Sequence, residues 1–170
     1  RRRASFLLAP AGHSSRPGGG TGSTWGVRAL DALMLALMSW IASVSDLPEP
    51  ESPPDVRRLP AAEIAERARP PDARQPHAGE RYVALYRSET DTVLVQRDWS
   101  RERLRDRSIL LHELVHHMQD AEGRAYPCPG ARERQAYGLQ RRWLEGRGGS
   151  LGETLGINVL HLVLVTRCGR

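Results

Sequence analysis

Two histidines and a glutamate in the second half of the chain have the types and the spacing of a metal centre. His112 and His116 are four positions apart, and Glu113 stands beside the first of them. In a helix, residues at this spacing lie on one face, so both imidazoles can bind the same ion. Glu113 is then placed to take a proton from a water molecule on the metal. This H-E-x-x-H pattern predicts a Zn²⁺ site with hydrolytic chemistry.

A catalytic zinc ion needs a third protein ligand, and two glutamates follow the motif. Glu133 lies seventeen positions after His116, beyond a segment at residues 127–130 whose prolines and glycine break the helix. A helix that runs back antiparallel to the motif helix would present Glu133 to the metal. Glu122 is the alternative, but in that arrangement a glycine normally lets the chain turn back, and Gln119 occupies the position. We predict Glu133 as the third ligand and Glu122 as the second choice.

Polar residues near these ligands are candidates for supporting roles. Gln119 and Asp120 follow the second motif histidine by three and four positions, so either can hydrogen-bond a ligand imidazole and fix its tautomer. Tyr137 lies one turn after Glu133 on the same face, where it can stabilise an oxyanion or simply pack. His117 points about 100° away from its neighbour around the helix, which predicts a structural role.

The motif needs a buried helix, and the apolar pattern around it predicts one. A stripe at positions i, i+3, i+4 and i+7 runs through the motif, formed by Leu111, Leu114, Val115 and Met118. Asp106 or Ser108 can cap the start of this helix. Residues 131–144 predict a further helix, which is the one that carries Glu133.

Other elements precede the motif. A second apolar stripe predicts an amphipathic helix, with Leu30, Leu33, Met34, Leu37, Met38 and Ile41 on its buried face. A signal-peptide core that ends at Ser43–Ser45 is the competing interpretation of this stretch. A proline-rich connector spans residues 48–60, and a short helix is predicted at 61–68. Residues 82–86 and 92–95 predict two strands joined by a hairpin turn, whereas 155–165 fits either a strand or a helix.

The composition indicates a globular domain. Of 170 residues, 39% are hydrophobic and 26% charged, which permits one domain with a real core. We expect a disordered segment at residues 1–27 and a single domain at 28–170. The fold class predicted is α+β and mainly helical, with a small antiparallel sheet packed on the motif helix. No transmembrane segment is expected, because the apolar stretch near Asp31 is short and interrupted by that charge. We also expect a monomer.

The net charge of +5 raises the question of a nucleic-acid partner. The basic residues are all arginines, and they alternate with acids, as in Arg101-Glu102-Arg103. This alternation is typical of a solvated face rather than of a phosphate-binding patch. We therefore expect no nucleic-acid partner, although an arginine-rich nucleic-acid binder stays as an alternative function.

The chain contains two cysteines, which either form a disulfide or stay reduced. Cys128 and Cys168 lack the spacing of a zinc ribbon. A disulfide between them and two reduced, packed thiols fit the sequence equally well. A bridge would require an oxidising compartment, so a periplasmic or secreted location is slightly favoured over a cytoplasmic one.

At this point the residues carry a resemblance. The motif, followed by Glu133 in Glu-Arg-Gln-Ala-Tyr, resembles the gluzincin branch of the zincin metallopeptidases over roughly residues 80–145. The run from His112 to Gln119 is also similar to that in small bacterial zincin-like proteins. The resemblance implies a zincin-like domain that binds zinc through His112, His116 and Glu133, with Glu113 activating the water. It also implies an edge strand upstream of the motif helix where substrate binds, and residues 92–96 occupy that place.

The expected function is zinc-dependent hydrolysis of a peptide bond in a peptide or protein substrate. Glu113 would accept the proton of the attacking water and return it to the leaving amine. A module of another class, stabilised by zinc and catalytically silent, is the first alternative. Glu113→Gln separates the two, because it should spare metal binding and abolish turnover.

Overall fold

The computed structural model describes residues 5–9, 24–68 and 81–169. Four strands and six helices follow one another in this part of the chain, in the order β1 (Ser5–Ala9), α1 (Thr24–Val44), β2 (Asp55–Leu59), α2 (Ala61–Ala68), β3 (Arg81–Arg87), β4 (Thr92–Gln96), α3 (Leu104–Glu122), α4 (Pro129–Glu145), α5 (Leu151–Leu155) and α6 (Val159–Thr166). The class is α+β and mainly helical, as the periodicity predicts.

Helix α3 is the centre of the molecule and carries the motif. Every residue from Ser108 to Gln119 is buried, because α1, α4 and the sheet all pack against it. A helix surrounded in this way has no solvated face. Polar side chains in this stretch must therefore find partners inside the protein, which is the first structural sign that they form a site.

The start of α3 differs from the prediction. The helix begins at Leu104, with Arg103 at the N-cap position and no side-chain cap, so the predicted caps at Asp106 and Ser108 are wrong. Asp106 instead lies in the first turn and accepts hydrogen bonds from the backbone N–H of Ser100 at 2.8 Å and from Arg103. An acid here is favourable because the N-terminal end of a helix carries partial positive charge.

The sheet corrects the prediction of the substrate edge. Its strand order is β1-β3-β4-β2, with β3 antiparallel to β1 and β4, and β2 parallel to β4. Strand β4 is therefore paired on both sides and cannot be the open edge expected at residues 92–96. The sheet is mixed rather than purely antiparallel. The parallel strand β2 lies inside the predicted proline-rich connector. The arginines within β2 and the prolines around it obscured the apolar–polar alternation that predicts a strand.

Both faces of the sheet are covered. Val93 and Val95 face the main core with α3, whereas Leu94 and Leu85 face α2 and pack there with Ile64. Successive side chains of β4 thus alternate between the two faces of the sheet. A strand buried on both faces is held in register by both, so the β3–β4 hairpin is a rigid support for the helix beside it.

The N-terminal prediction is wrong at one place. Residues 1–27 were expected to be disordered, yet Ser5–Ala9 forms strand β1 on the edge of β3, and α1 already begins at Thr24. The remaining residues of the predicted segment, 1–4 and 10–23, lie outside the described part of the chain. None of the helices in the described ranges combines the length and apolarity needed to span a bilayer.

The C-terminal part folds back onto α4. The apolar residues left ambiguous by the sequence form helix α6, which Asn158 caps by accepting the N–H of His161 at 2.9 Å. Cys128, just before α4, and Cys168, just after α6, are bridged, with their Cα atoms 5.6 Å apart. Of the two states that the sequence allowed, a disulfide and two reduced thiols, the structure contains the disulfide.

Candidate metal centre

Helices α3 and α4 bring the three predicted ligands together. His112 and His116 project from the middle of α3, and Glu133 projects from the first turns of α4, which packs along α3. Pro129 at the start of α4 suits a first helical position, where no N–H is required. The predicted break at residues 127–130 is thus shorter than expected, because α4 begins at Pro129 instead of residue 131 and returns from there toward the motif.

The three ligand side chains form a triangle, in which one ligand atom of each lies within 4.8 Å of those of the other two. The Nε2 atoms of His112 and His116 are 3.2 Å apart. Oε2 of Glu133 lies 3.3 Å from the His112 Nε2, and the other carboxylate oxygen, Oε1, lies 3.4 Å from the His116 Nε2. Both imidazoles are fully buried, and the Glu133 side chain is 12% exposed.

This triangle fits a tetrahedral zinc ion. Bonds of about 2.0–2.1 Å from zinc to nitrogen or oxygen place two ligand atoms of a tetrahedron about 3.3–3.4 Å apart. The distance between the two Nε2 atoms, and the distance from each Nε2 to one of the two Glu133 oxygens, are 3.2–3.4 Å and so lie close to that value. In addition, Oε2 of Glu133 is buried with no hydrogen-bond partner, which is costly unless a cation is its partner. The donor set is that of a catalytic zinc site with one open position.

The other ring nitrogen of each ligand histidine is held by a glutamine. Nδ1 of His116 lies 2.9 Å from Oε1 of Gln119, and Nδ1 of His112 lies 3.2 Å from Oε1 of Gln140. Both amide NH₂ groups donate elsewhere, for example from Gln140 to the Ser108 carbonyl at 2.9 Å. The amide oxygens therefore accept from protonated Nδ1 atoms, which leaves both Nε2 lone pairs free for a metal.

Glu113 occupies the position of a general base. Its Oε2 accepts the backbone N–H of Tyr86 in β3 at 2.8 Å, while its Oε1 is buried with no partner. Burial raises the pKa of Glu113 to about 8, despite the opposing charge of His112. A carboxylate fixed by one oxygen and free at the other can receive a proton without turning.

Glu133 shows the opposite electrostatics. Burial by itself would raise its pKa, but the adjacent imidazoles of His116 and His112 outweigh that effect and hold the pKa well below its usual range. The carboxylate is thus ionised at neutral pH, as a metal ligand must be. Two glutamates on neighbouring helices have pKa values displaced in opposite directions, which is common at functional sites.

Tyr137 and His161 border the ligands. The ring of Tyr137 packs edge-on against His112, with centroids 4.5 Å apart, and its hydroxyl lies 3.4 Å from Nε2 of His161 on α6. Tyr137 is almost completely buried. Burial, with the nearby charges of Glu133 and Glu113, raises its pKa far above the usual range, so the hydroxyl keeps its proton.

Three other predicted residues lie outside the ligand triangle. Asp120 pairs with Arg132 at 2.7 Å instead of an imidazole, and Glu122 pairs with Arg124 at 2.5 Å. His117 points away from the triangle, as predicted. Its Nδ1 lies 2.7 Å from Asp91, next to the β3–β4 turn. The structure therefore brings Gln119 to the site but not Asp120, and Glu133 but not Glu122.

Gln140, His161 and the Tyr86 amide belong to the site but were not predicted from the sequence. Helical spacing points to Gln140, because it follows Glu133 and Tyr137 by seven and three positions and so shares their face of α4. No such spacing points to His161, since it belongs to a stretch whose secondary structure was ambiguous. The Tyr86 amide is a backbone group, and only the packing of β3 on α3 selects it.

The characteristic sequence pattern of a family described as a domain of unknown function, DUF6647, matches residues 27–170. The chain belongs to the DUF6647 family. No curated protein and no solved structure matches it. The candidate metal centre lies wholly within the residues that match the DUF6647 family.

Proposed function

We propose that this DUF6647 protein is a zinc-dependent hydrolase that cleaves a peptide bond. The observation that carries the proposal is the triangle of His112, His116 and Glu133, in which each Nε2 lies at the separation of tetrahedral zinc ligands from the other Nε2 and from one oxygen of Glu133. Glu113, beside the triangle with one unpaired oxygen, supports catalysis over a purely structural role.

When bound, zinc would lower the pKa of a water molecule and polarise the substrate carbonyl. The protein supplies the remaining groups. Oε1 of Glu113 accepts the proton of the attacking water, while Oε2 stays fixed on the Tyr86 amide. Glu113 then passes that proton to the leaving amine. Tyr137 packs beside His112, and its neutral phenol hydroxyl can donate a hydrogen bond to the oxyanion that develops on the substrate carbonyl.

Strand β3 supports a peptide as the substrate. An extended peptide binds well to a strand edge, where backbone groups are offered to it. The amide held by Glu113 belongs to Tyr86 of β3, and Tyr86 is in register with Ser5 of β1 on the outer side of that strand. The substrate edge expected on β4 thus moves to the outer edge of β3, the position of β1.

A second candidate function is a zinc-stabilised module without turnover. The observation that favours it is burial, because His112, Glu113 and His116 are all completely shielded from solvent. A structural site needs no route for substrate, whereas a catalytic one does. Both candidates bind the metal, and they differ in whether Glu113 acts as a general base.

Nucleic-acid binding is less well supported. Arginines spread over the surface pair with carboxylates, including Arg67 with Glu63 and Arg124 with Asp46. Paired guanidinium groups make a weaker site for phosphates than free ones. A binding constant for DNA or RNA that falls steeply with salt would nevertheless reinstate this function.

The metal is tested first. After reconstitution with Zn²⁺, elemental analysis should find one zinc ion per chain. Glu133→Ala should lose it, because two histidines alone leave the ion without its third ligand. Glu122→Ala is the matched control, since Glu122 was the alternative ligand and lies outside the triangle, and it should bind zinc like the parent. No zinc in the parent, or tight zinc binding by Glu133→Ala, contradicts the assignment.

Turnover is tested on the same protein. Glu113→Gln keeps the shape of the side chain and an oxygen for the Tyr86 amide, but it cannot accept a proton. We expect unchanged zinc content and cleavage of a mixed peptide library reduced roughly 10²- to 10⁴-fold. A parent that holds zinc and cleaves no peptide, with or without residues 1–23, would favour the silent module.

A further inference from the structure

Helix α6 is too short to hold itself in place. It has eight residues, and isolated helices of that length are marginal in water. One side packs on the core through Leu162 and Val165, while Leu160 and Leu164 on the other side are 67% and 65% exposed. Its position must therefore come from its attachment to α4.

Three separate features fix the end of α6 on the first turns of α4. The disulfide joins the residues that flank the two helices. Gly130 lets the backbones touch, because a Cβ there would lie 2.5 Å from the Arg167 carbonyl oxygen. Arg134 donates to the Thr166 carbonyl at 2.9 Å, which satisfies an acceptor at the helix end. These features surround Glu133 in sequence.

Through this joint, α6 reaches the metal centre. His161 lies on its inner side, with Nε2 3.4 Å from the Tyr137 hydroxyl, and the two rings meet edge-on with centroids 6.2 Å apart. Tyr137 in turn packs on His112. A contact therefore runs from the disulfide-held helix through His161 and Tyr137 to a ligand of the metal.

We propose that His161 is a positioning residue for Tyr137 and that the Cys128–Cys168 bridge holds it there, so that turnover depends on α6 while zinc binding does not. Nε2–H of His161 donates to the phenol oxygen, which directs the Tyr137 proton toward the substrate carbonyl. The catalytic part of this inference rests on the proposed hydrolase function. The positional part does not, because it concerns a hydrogen bond between two side chains of the folded protein.

The decisive experiment is a double-mutant cycle on the zinc-loaded enzyme. His161→Ala should lower kcat roughly ten- to hundredfold with little change in KM, because Tyr137 loses its orientation. His161→Gln, which keeps an N–H donor, should recover part of the loss. Tyr137→Phe should cost a similar factor, and adding His161→Ala to it should cost nothing more. Leu164→Ala, on the exposed side of α6, is the control and should match the parent.

Independent losses that multiply in the double variant, or a His161→Ala enzyme equal to the parent, overturn the inference. The bridge is tested with Cys128→Ser/Cys168→Ser, which should keep its zinc and lose kcat as His161→Ala does. A folded double variant with parental kcat shows that the bridge is not required.

The ¹⁵N NMR signal of His161 separates failure of this inference from failure of the hydrolase. A hydrogen-bonded Nε2–H should be present in the parent and lost in Tyr137→Phe, even if no peptide is cleaved. If that signal is present and the zinc-loaded parent lacks turnover, the hydrolase proposal and the catalytic role of His161 fail together while the pairing stands. If the signal does not respond to Tyr137→Phe, the pairing itself is wrong.

Discussion

At the scale of residues, the candidate metal centre is organised by two glutamines as much as by its proposed ligands. Gln119 and Gln140 bind the same nitrogen, Nδ1, on the two histidines. Each thereby selects the tautomer that frees Nε2, and the two freed atoms are 3.2 Å apart. Groups that orient ligand imidazoles in this way raise metal affinity without touching the metal.

Removing the amide of Gln140 should therefore weaken zinc binding. Gln140→Leu removes the oxygen that accepts from Nδ1 of His112, and we expect zinc affinity to fall roughly 10- to 100-fold. Gln140→Glu is the matched control, because its carboxylate still accepts from Nδ1 and should keep affinity near the parental value. Competition with a chromogenic chelator measures both. Equal affinities for Leu and Gln at this position would show that the tautomer is not set here.

The site residues that were predicted and those that were missed differ in whether local helical spacing relates them to the motif. His112, His116 and Gln119 lie within two turns of one helix, so helical spacing alone relates them. Gln140 is 28 positions from the histidine it holds, and its role depends on how α4 packs on α3. Glu133 was found because zinc chemistry demands a third ligand, and no such demand pointed to His161.

At the scale of elements, periodicity predicted most helices and the β3–β4 hairpin but not the sheet order. Strand β2 pairs parallel to β4, a contact that depends on a crossover through α2 rather than on any local pattern. Its sequence, Asp-Val-Arg-Arg-Leu, has only two apolar residues. The edge prediction failed for this reason, since whether a strand is an edge is a property of its neighbours.

The α4–α6 joint makes a prediction about two glycines of one helix. Gly130→Ala forces a Cβ to within 2.5 Å of the Arg167 carbonyl oxygen, and overpacking of this kind costs about 1–3 kcal/mol. Gly138→Ala is the control, because a Cβ there meets nothing within 4 Å and should add up to about 1 kcal/mol of helix stability. Thermal unfolding should therefore shift in opposite directions. A Gly130→Ala protein as stable as the parent would mean that the backbones do not touch.

At the scale of the whole molecule, the disulfide ties the end of the described chain to the start of α4, the helix that carries Glu133. The bridge spans 40 positions, and closing a loop of that length should contribute about 4 kcal/mol by restricting the unfolded chain. Cys128→Ser/Cys168→Ser should accordingly lower Tm by roughly 8–16 °C. Mass spectrometry of unreduced protein from an oxidising compartment should find no free thiol. Free thiols with a parental Tm would contradict both the bridge and its effect.

The N-terminal strand β1 covers the outer edge of β3, which a peptide substrate would need, and its removal therefore tests where the substrate binds. Strand β1 lies outside residues 27–170, the region shared with the family, and its Ser5 is in register with the Tyr86 whose amide Glu113 holds. A protein without residues 1–23 should offer the outer edge of β3 to a substrate strand. We expect it to cleave peptides several-fold faster than the full chain at equal zinc content.

Adding the segment back in trans provides the control. A peptide with the sequence of β1, Ser-Phe-Leu-Leu-Ala, should inhibit the shortened enzyme competitively. The same peptide with proline in place of Leu7 or Leu8 loses a backbone donor and should inhibit less, if that donor pairs with β3. Equal turnover with and without residues 1–23, together with no inhibition by the peptide, would place the substrate away from β3. Faster turnover of the shortened enzyme would instead make β1 an intramolecular competitor for the edge on which the substrate is cleaved.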